Sequence, residues 1–298
     1  MNDRRSDLQS SNSWQTFWFT PEPVAAVATA RGLLCLITAV YFASSWSDVP
    51  FWYSDGGPLS SKRVATFVQT ADLEDAARWI VSPLFLTGAV WIYRLYLVIG
   101  VAACAIVAAG RGGRIACWML WLFLVGWANR AMIVSGLAET LLSLGLFASA
   151  IAPPASCWRR KGNADDEPVH WLAGFSQRLM AAQITLIGVA TFVTMLGGRV
   201  WFNGIGAYAL AAPVEDRSID WTTQAWFVNP LVHETLTHAM VIALPLGFVL
   251  AWLRRTNRIG QAILIGWCIL VAMLGSHWLY ASAVATMVMA IRPVGHRF

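Results

Sequence analysis

Long apolar runs separated by short polar clusters fill almost the whole chain. The clearest runs are 24–45, 92–109, 131–151, 175–196 and 238–253. Each approaches the ~20 largely apolar residues that a helix needs to cross a hydrocarbon core of about 30 Å. A shorter run, 115–128, ends at Asn129-Arg130. The last run, 259–291, has 33 residues. As one helix, at ~1.5 Å per residue, it would be roughly 50 Å long, too much for one crossing. Gly275-Ser276-His277 interrupts it, so two short helices are expected there. The pattern predicts an all-α fold, a polytopic transmembrane helical bundle of about eight spans.

Composition agrees with that reading. Of 298 residues, 57% are hydrophobic and 12% charged, where a soluble domain carries about 25% charge. The 17 Trp suit a chain with two membrane–water interfaces, where indole rings collect. No hydrophilic block is long enough to build a second core. The expected organisation is a polar N-terminal tail at 1–20, a transmembrane domain at 21–293 and a short C-terminal tail at 294–298. No small-residue cleavage site follows the first apolar run, so it is expected to be retained as a span.

The net charge of +5 raises the question of nucleic acid, but the basic residues cluster beside apolar runs. Topology accounts for them, and the expected partner is the lipid bilayer. With the N-terminus in the cytoplasm, 13 Lys and Arg fall on the cytoplasmic side and 6 outside, leaving Arg31 and Arg94 within spans. The positive-inside rule therefore predicts both termini inside, in a multi-pass cell-membrane protein. Residues 46–82 and 197–235 are then outward loops, longer than connectors need to be, which favours a functional role for them. The first contains an acidic helix-like stretch, Ala71–Arg78; the inward loop 154–173 reads as a solvated hairpin.

Ionisable groups at membrane depth cost about 2.5–3.5 kcal/mol on insertion scales and call for partners. The candidates are Arg31, Arg94, Glu139 and His277. Arg31 and Glu139 are expected to pair between helices; Arg94, near a span end, can snorkel. The string HETLTH invites a metal reading, but its His233 and His238 are five apart and diverge by ~140° around a helix, unlike the HExxH spacing. Glu234 and His238 share a face, which points to a pH-sensitive or substrate-contacting cluster, or to a plain interfacial helix start after Asn229-Pro230. Cys35, Cys104, Cys117, Cys157 and Cys268 show no metal-binding spacing and read as small apolar packing residues. No Walker loop, nucleophile elbow or dinucleotide fingerprint occurs, so neither ATP, NAD nor zinc is expected.

Several strings, taken in order, carry a family resemblance. They are ARGLL (Ala30–Leu34), WYSDGGPLS (Trp52–Ser60), NRAMIVSGLAETLLSLGLFASAIAPP (Asn129–Pro154), RLMAAQITLIGVATFVTMLGGRVWFNGIGAYALAAP (Arg178–Pro213), ALPLGFVLAWLRRTNR (Ala243–Arg258) and GSHWLYASAVATMVMAIRP (Gly275–Pro293). Together they resemble the HTTM family, membrane domains related to the vitamin K-dependent gamma-carboxylase, in a divergent bacterial-type form. The resemblance implies an HTTM-like domain over 21–293, placed in a bacterial inner membrane. It also implies that Trp201-Phe202-Asn203-Gly204 is the family's W-x-x-G loop, with Met195 where the carboxylase keeps its basic lysine. A thioether takes no proton at any useful pH.

Three functional classes follow. The first is a non-carboxylating relative that binds a quinone-like or lipid ligand, or a membrane-protein partner, through Gln183, Phe192, Met195, Trp201, Gly204 and His238. The second is a carboxylase- or epoxidase-type enzyme that uses another base, with His233, Glu234 and His277 as candidates. The third is a small-solute transporter, for which no internal repeat or matched pair of broken spans is found.

Overall fold

The computed structural model describes residues 13–54, 56–70, 82–131, 136–156, 168–213 and 219–292. Its helices are α1 (Ser13–Phe19), α2 (Val24–Ser44), α3 (Val49–Tyr53), α4 (Ser61–Thr70), α5 (Val90–Ala108), α6 (Gly113–Arg130) and α7 (Leu137–Ile151). They continue with α8 (Trp171–Gly197), α9 (Arg199–Phe202), α10 (Gly206–Ala211), α11 (Ala225–Val228), α12 (Pro230–Trp252), α13 (Asn257–Gly275) and α14 (Trp278–Val288). Short 3-10 turns occupy Pro83–Leu86 and Trp221–Thr223. The all-α architecture has one addition, a two-residue antiparallel bridge that pairs β1 (Glu22–Pro23) with β2 (Val169–His170).

Each apolar run of the sequence contributes a helix. Among the described residues, five helices (α2, α5, α8, α12 and α13) are long and apolar enough to cross a membrane, while α7 and α14 are shorter apolar helices. Such a set is the mark of a multi-pass membrane protein. The outward faces agree: Leu95, Val98 and Ile99 on α5, Leu186, Val189 and Val193 on α8, and Ile242, Leu246 and Val249 on α12 are all exposed. Their three- and four-residue spacing makes continuous apolar stripes, which suit lipid and not water.

The chain divides into two compact units. One runs from Arg31 to Ser156 among the described residues, and contains most of α2 together with α3 to α7. Its core includes Leu34, Phe42, Tyr93, Leu120, Leu124, Trp127 and Leu142. The other combines the residues before Arg31 with those from Pro168 onward. Here α13 packs chiefly against α12 and α14, and α12 against α8. Asn229 starts α12 by accepting from the Leu231 N–H at 3.1 Å, with Pro230 at the first helical position where its missing N–H is harmless.

Two expectations change. The break in the last apolar run falls where the sequence put it, at Ser276, whose φ of 55° is left-handed. The halves are unequal, however: α13 has 19 residues and is of spanning length, while α14 has 11. The end of the N-terminal tail is also not a polar tail. In α1, Trp18 and Phe19 lie against Phe175 of α8 at 5.6 and 5.9 Å between ring centroids, and Phe17 approaches Trp252. Arg178 anchors this segment, with Nη2 paired to Glu22 at 3.1 Å and Nη1 donating to the Thr20 carbonyl at 3.0 Å. The stretch Ala71–Arg78, Cys157 and most of the hairpin at 154–173 lie outside the described residues. Cys35, Cys104, Cys117 and Cys268 are buried, as apolar packing residues would be.

Candidate functional site

In the unit formed by α8 and α12 to α14, these helices enclose a crevice. Its walls are Ile184, Ile187, Gly188, Leu244, Phe248, Leu264, Trp267 and Val284, with Thr191 and Tyr280 as the polar side chains whose polar atoms are hydroxyls. Glycine at 188 is required by close approach: a Cβ there would stand 2.0 Å from the Phe248 ring. The Thr191 hydroxyl donates to the Ile187 carbonyl at 2.8 Å, and the Trp267 indole N–H donates to the Met240 carbonyl at 3.2 Å. The remaining surface is hydrocarbon and aromatic, the lining expected of a site for an apolar ring or chain.

At one end of the same unit the Trp201–Gly204 turn is seated on the first turns of α12. Gly204 has φ +75°, and a Cβ on it would meet the Glu234 side chain at 2.5 Å, so both backbone and space call for glycine. Its carbonyl accepts from Thr237 Oγ1 at 2.9 Å and faces His233 Nδ1 at 3.3 Å. Thr237 Oγ1 in turn accepts from the Ala207 N–H at 2.9 Å. A carbonyl can only accept, so a hydrogen bond between them requires the His233 proton on Nδ1. Tyr208 lies beside the imidazole, and Phe227, Trp221 and Trp226 extend the aromatic cluster.

The other unit holds a cationic centre that sequence reasoning missed. Arg130, the last residue of α6, is completely buried. Its Nε donates to the Tyr93 hydroxyl at 3.0 Å and its Nη2 to the Leu59 carbonyl at 2.6 Å. The rings of Phe85, Tyr53 and Tyr93 surround the guanidinium at 5.1, 5.2 and 5.5 Å. Burial pushes the Tyr53 phenol up to about 12, against the opposing pull of Arg130, so it stays neutral and serves as an aromatic face. Tyr93 is fixed by donating toward the Leu84 and Thr87 carbonyls, each at 2.9 Å. Nη1 has no partner, and no carboxylate pairs with Arg130 among the described residues. A buried charge without a counterion costs several kcal/mol, which cation–π contacts worth about 0.5–2 kcal/mol each offset only in part. The break of the apolar run at Asn129-Arg130 was the available signal.

The expected Arg31–Glu139 pair is not formed. Arg31 Nη2 donates to the Ser149 carbonyl at 2.6 Å and to that of Ala152 at 3.2 Å, while Nη1 reaches Pro153 at 3.2 Å. These carbonyls end α7, which Glu139 begins, and the Glu139 carboxylate accepts from the Gly136 N–H at 2.8 Å. A guanidinium at a helix C-terminus and a carboxylate in its first turn each match the helix dipole. Arg94 stacks over the Trp46 ring at 5.2 Å.

Among the other sequence candidates, Trp201, Gly204, His233 and Glu234 come together. Met195 is buried near the end of α8, one turn beyond Thr191, whereas Gln183 and Phe192 are half-buried on opposite faces of that helix and His238 and His277 are exposed. Gln183 Oε1 has no partner. Thr237 and Tyr208 were missed because a threonine and a tyrosine in apolar sequence carry no motif. Comparison with protein-family models, curated proteins and solved structures finds no match for the chain.

Proposed function

We propose that this multi-pass protein belongs to the bacterial inner membrane, has an HTTM-like fold and binds a quinone-like or lipid ligand without carboxylating. The observation that carries this reading is the crevice between α8, α12, α13 and α14, whose lining is apolar apart from the Thr191 and Tyr280 hydroxyls and the Trp267 indole N–H. A flat ring or acyl chain would exchange lipid contacts for Phe248 and Trp267, and one carbonyl or hydroxyl of the ligand would meet the Tyr280 hydroxyl. Met195, where the resembled carboxylases hold their base, leaves apolar surface at the end of the same helix.

The test is extraction of protein purified in nanodiscs, followed by identification of the retained quinone or lipid. Leu244→Trp and Val284→Trp fill the crevice and should cut the retained amount at least fivefold. Equal retention by the filled variants would defeat the proposal.

A second reading has one observation in its favour. His233 Nδ1 is held toward the Gly204 carbonyl, leaving Nε2 available to accept a proton. On that reading the protein is an enzyme acting on a lipid-soluble substrate, and His233→Gln abolishes turnover without loss of bound ligand. The transporter reading has no comparable observation.

A further inference from the structure

We propose that Arg130 is the anchor of an oxyanion-binding site, independent of the crevice and located in the other unit. Its ligand carries a carboxylate or phosphate oxygen, either as a free anion or as the headgroup of an anionic lipid.

The argument rests on the donor count. A guanidinium has five N–H groups and no acceptor. Arg130 spends one on Tyr93 and one on Leu59, and Nη1, wholly buried, has no acceptor among the described residues. The contrast with two other buried arginines is informative. Both terminal nitrogens of Arg31 reach backbone carbonyls, and both of those of Arg178 reach Glu22 or carbonyls. These two side chains are structural clamps. In the Arg130 cage the neutral partners hold the guanidinium in place, and among the described residues neither a carboxylate nor a phenolate neutralises it. A fixed planar fork with a free end and an uncompensated charge is suited to a planar or tetrahedral oxyanion, because the two oxygens can take parallel N–H bonds. The three rings exclude water, which strengthens any charge-assisted bond made there.

The experiment uses the full-length protein in phosphatidylcholine nanodiscs and reads the thermal unfolding midpoint. One arm adds inorganic phosphate against chloride at matched ionic strength, and the other replaces part of the lipid with phosphatidylglycerol. A ligand that binds only the folded protein raises the midpoint; the expected gain is about 3 °C or more in one arm. A response to phosphate assigns a free anion, and a response to phosphatidylglycerol alone assigns a headgroup. The gain should vanish in Arg130→Gln and fall by at least half in Arg130→Lys, which keeps the charge without the fork. No gain in either arm, or the same gain in Arg130→Gln, overturns the site. If Arg130→Gln does not fold, native mass spectrometry of wild type and Arg130→Lys decides. At least threefold less bound phosphate or phosphatidylglycerol on the lysine variant supports the site, and equal occupancy overturns it. Quinone or lipid retention in the crevice is read separately, so the failure of one proposal leaves the other standing.

Discussion

Arg31 donates to the Ser149 carbonyl at 2.6 Å, so a charged side chain on α2 closes the end of α7. Hydrogen bonds to a charged donor are worth about 1.5–3 kcal/mol each in mutational series, and unsatisfied buried carbonyls add to the loss. Arg31→Met should therefore cost about 3–5 kcal/mol in a reversible unfolding titration in mixed micelles. Glu139→Gln, which weakens the bond to the Gly136 N–H, should cost about 1 kcal/mol. The double variant should be additive to within about 0.5 kcal/mol. A coupling much larger than this would show that the two ionised groups act as a pair after all.

Gly204 and Glu234 give a sharper case of coupling. Gly204→Ala places a methyl group against the Glu234 side chain and fixes an unfavourable left-handed backbone, the latter costing about 1–2 kcal/mol. Adding Glu234→Ala should remove the steric part and leave the backbone part. The remaining penalty, measured by unfolding, should lie near the lower figure; no relief by Glu234→Ala would mean that the turn is not seated on α12.

Tyr53 sets an alkaline limit to stability. Burial pushes its phenol from the ordinary 10.0 up to about 12. Between those values the unfolded chain has lost the proton that the folded protein keeps, so stability falls as pH rises through this window and is fully present below it. The loss should reach about 2 kcal/mol at the alkaline end. Tyr53→Phe should flatten the slope there; an unchanged slope would place the titration elsewhere.

Topology can be tested directly. Reporter fusions after Ser60 and after Lys161 should report opposite compartments, with Ser60 outside. One compartment for both would overturn the eight-span arrangement with both termini inside.

Vitamin K chemistry should be absent. Purified protein given reduced vitamin K, bicarbonate and a glutamate peptide should form neither epoxide nor carboxyglutamate. On the proposed HTTM-like reading, Met195 would stand at the lysine position and could offer no base. Epoxide formation that survives Met195→Ala but disappears in His233→Ala or His277→Ala would identify a substitute base.

The helices were legible because one physical variable, sustained apolarity, writes both their position and their length. The break at Ser276 was legible for the same reason: a run too long for one crossing had to turn, and Gly275-Ser276-His277 was the weakest place in it. The partner of Arg31 was not. Insertion cost says that a buried guanidinium needs acceptors but not of which kind, and the carbonyls ending α7 serve as well as a carboxylate. The Arg130 cage was hidden for a different reason. Leu59 and Tyr53 lie far from it in sequence, and only the fold brings their carbonyl and ring to the end of α6. Trp201, Gly204 and His233 were named from separate strings, and nothing in those strings required Gly204 to bond Thr237.

The unequal halves around Ser276 bear on the bilayer itself. At ~1.5 Å per residue, α13 spans about 28 Å and α14 about 16 Å, against roughly 30 Å of hydrocarbon. The far end of the short leg is tied back to the start of the long one, since Asn257 and Gln261 donate to the Ile291 carbonyl at 3.0 and 2.9 Å. The return leg therefore regains the height of α13 only because Met289, Ala290 and Ile291 continue it beyond the helix. Non-helical backbone at membrane depth is tolerated where protein groups satisfy its carbonyls, and the two amide side chains at the start of α13 do that for Ile291.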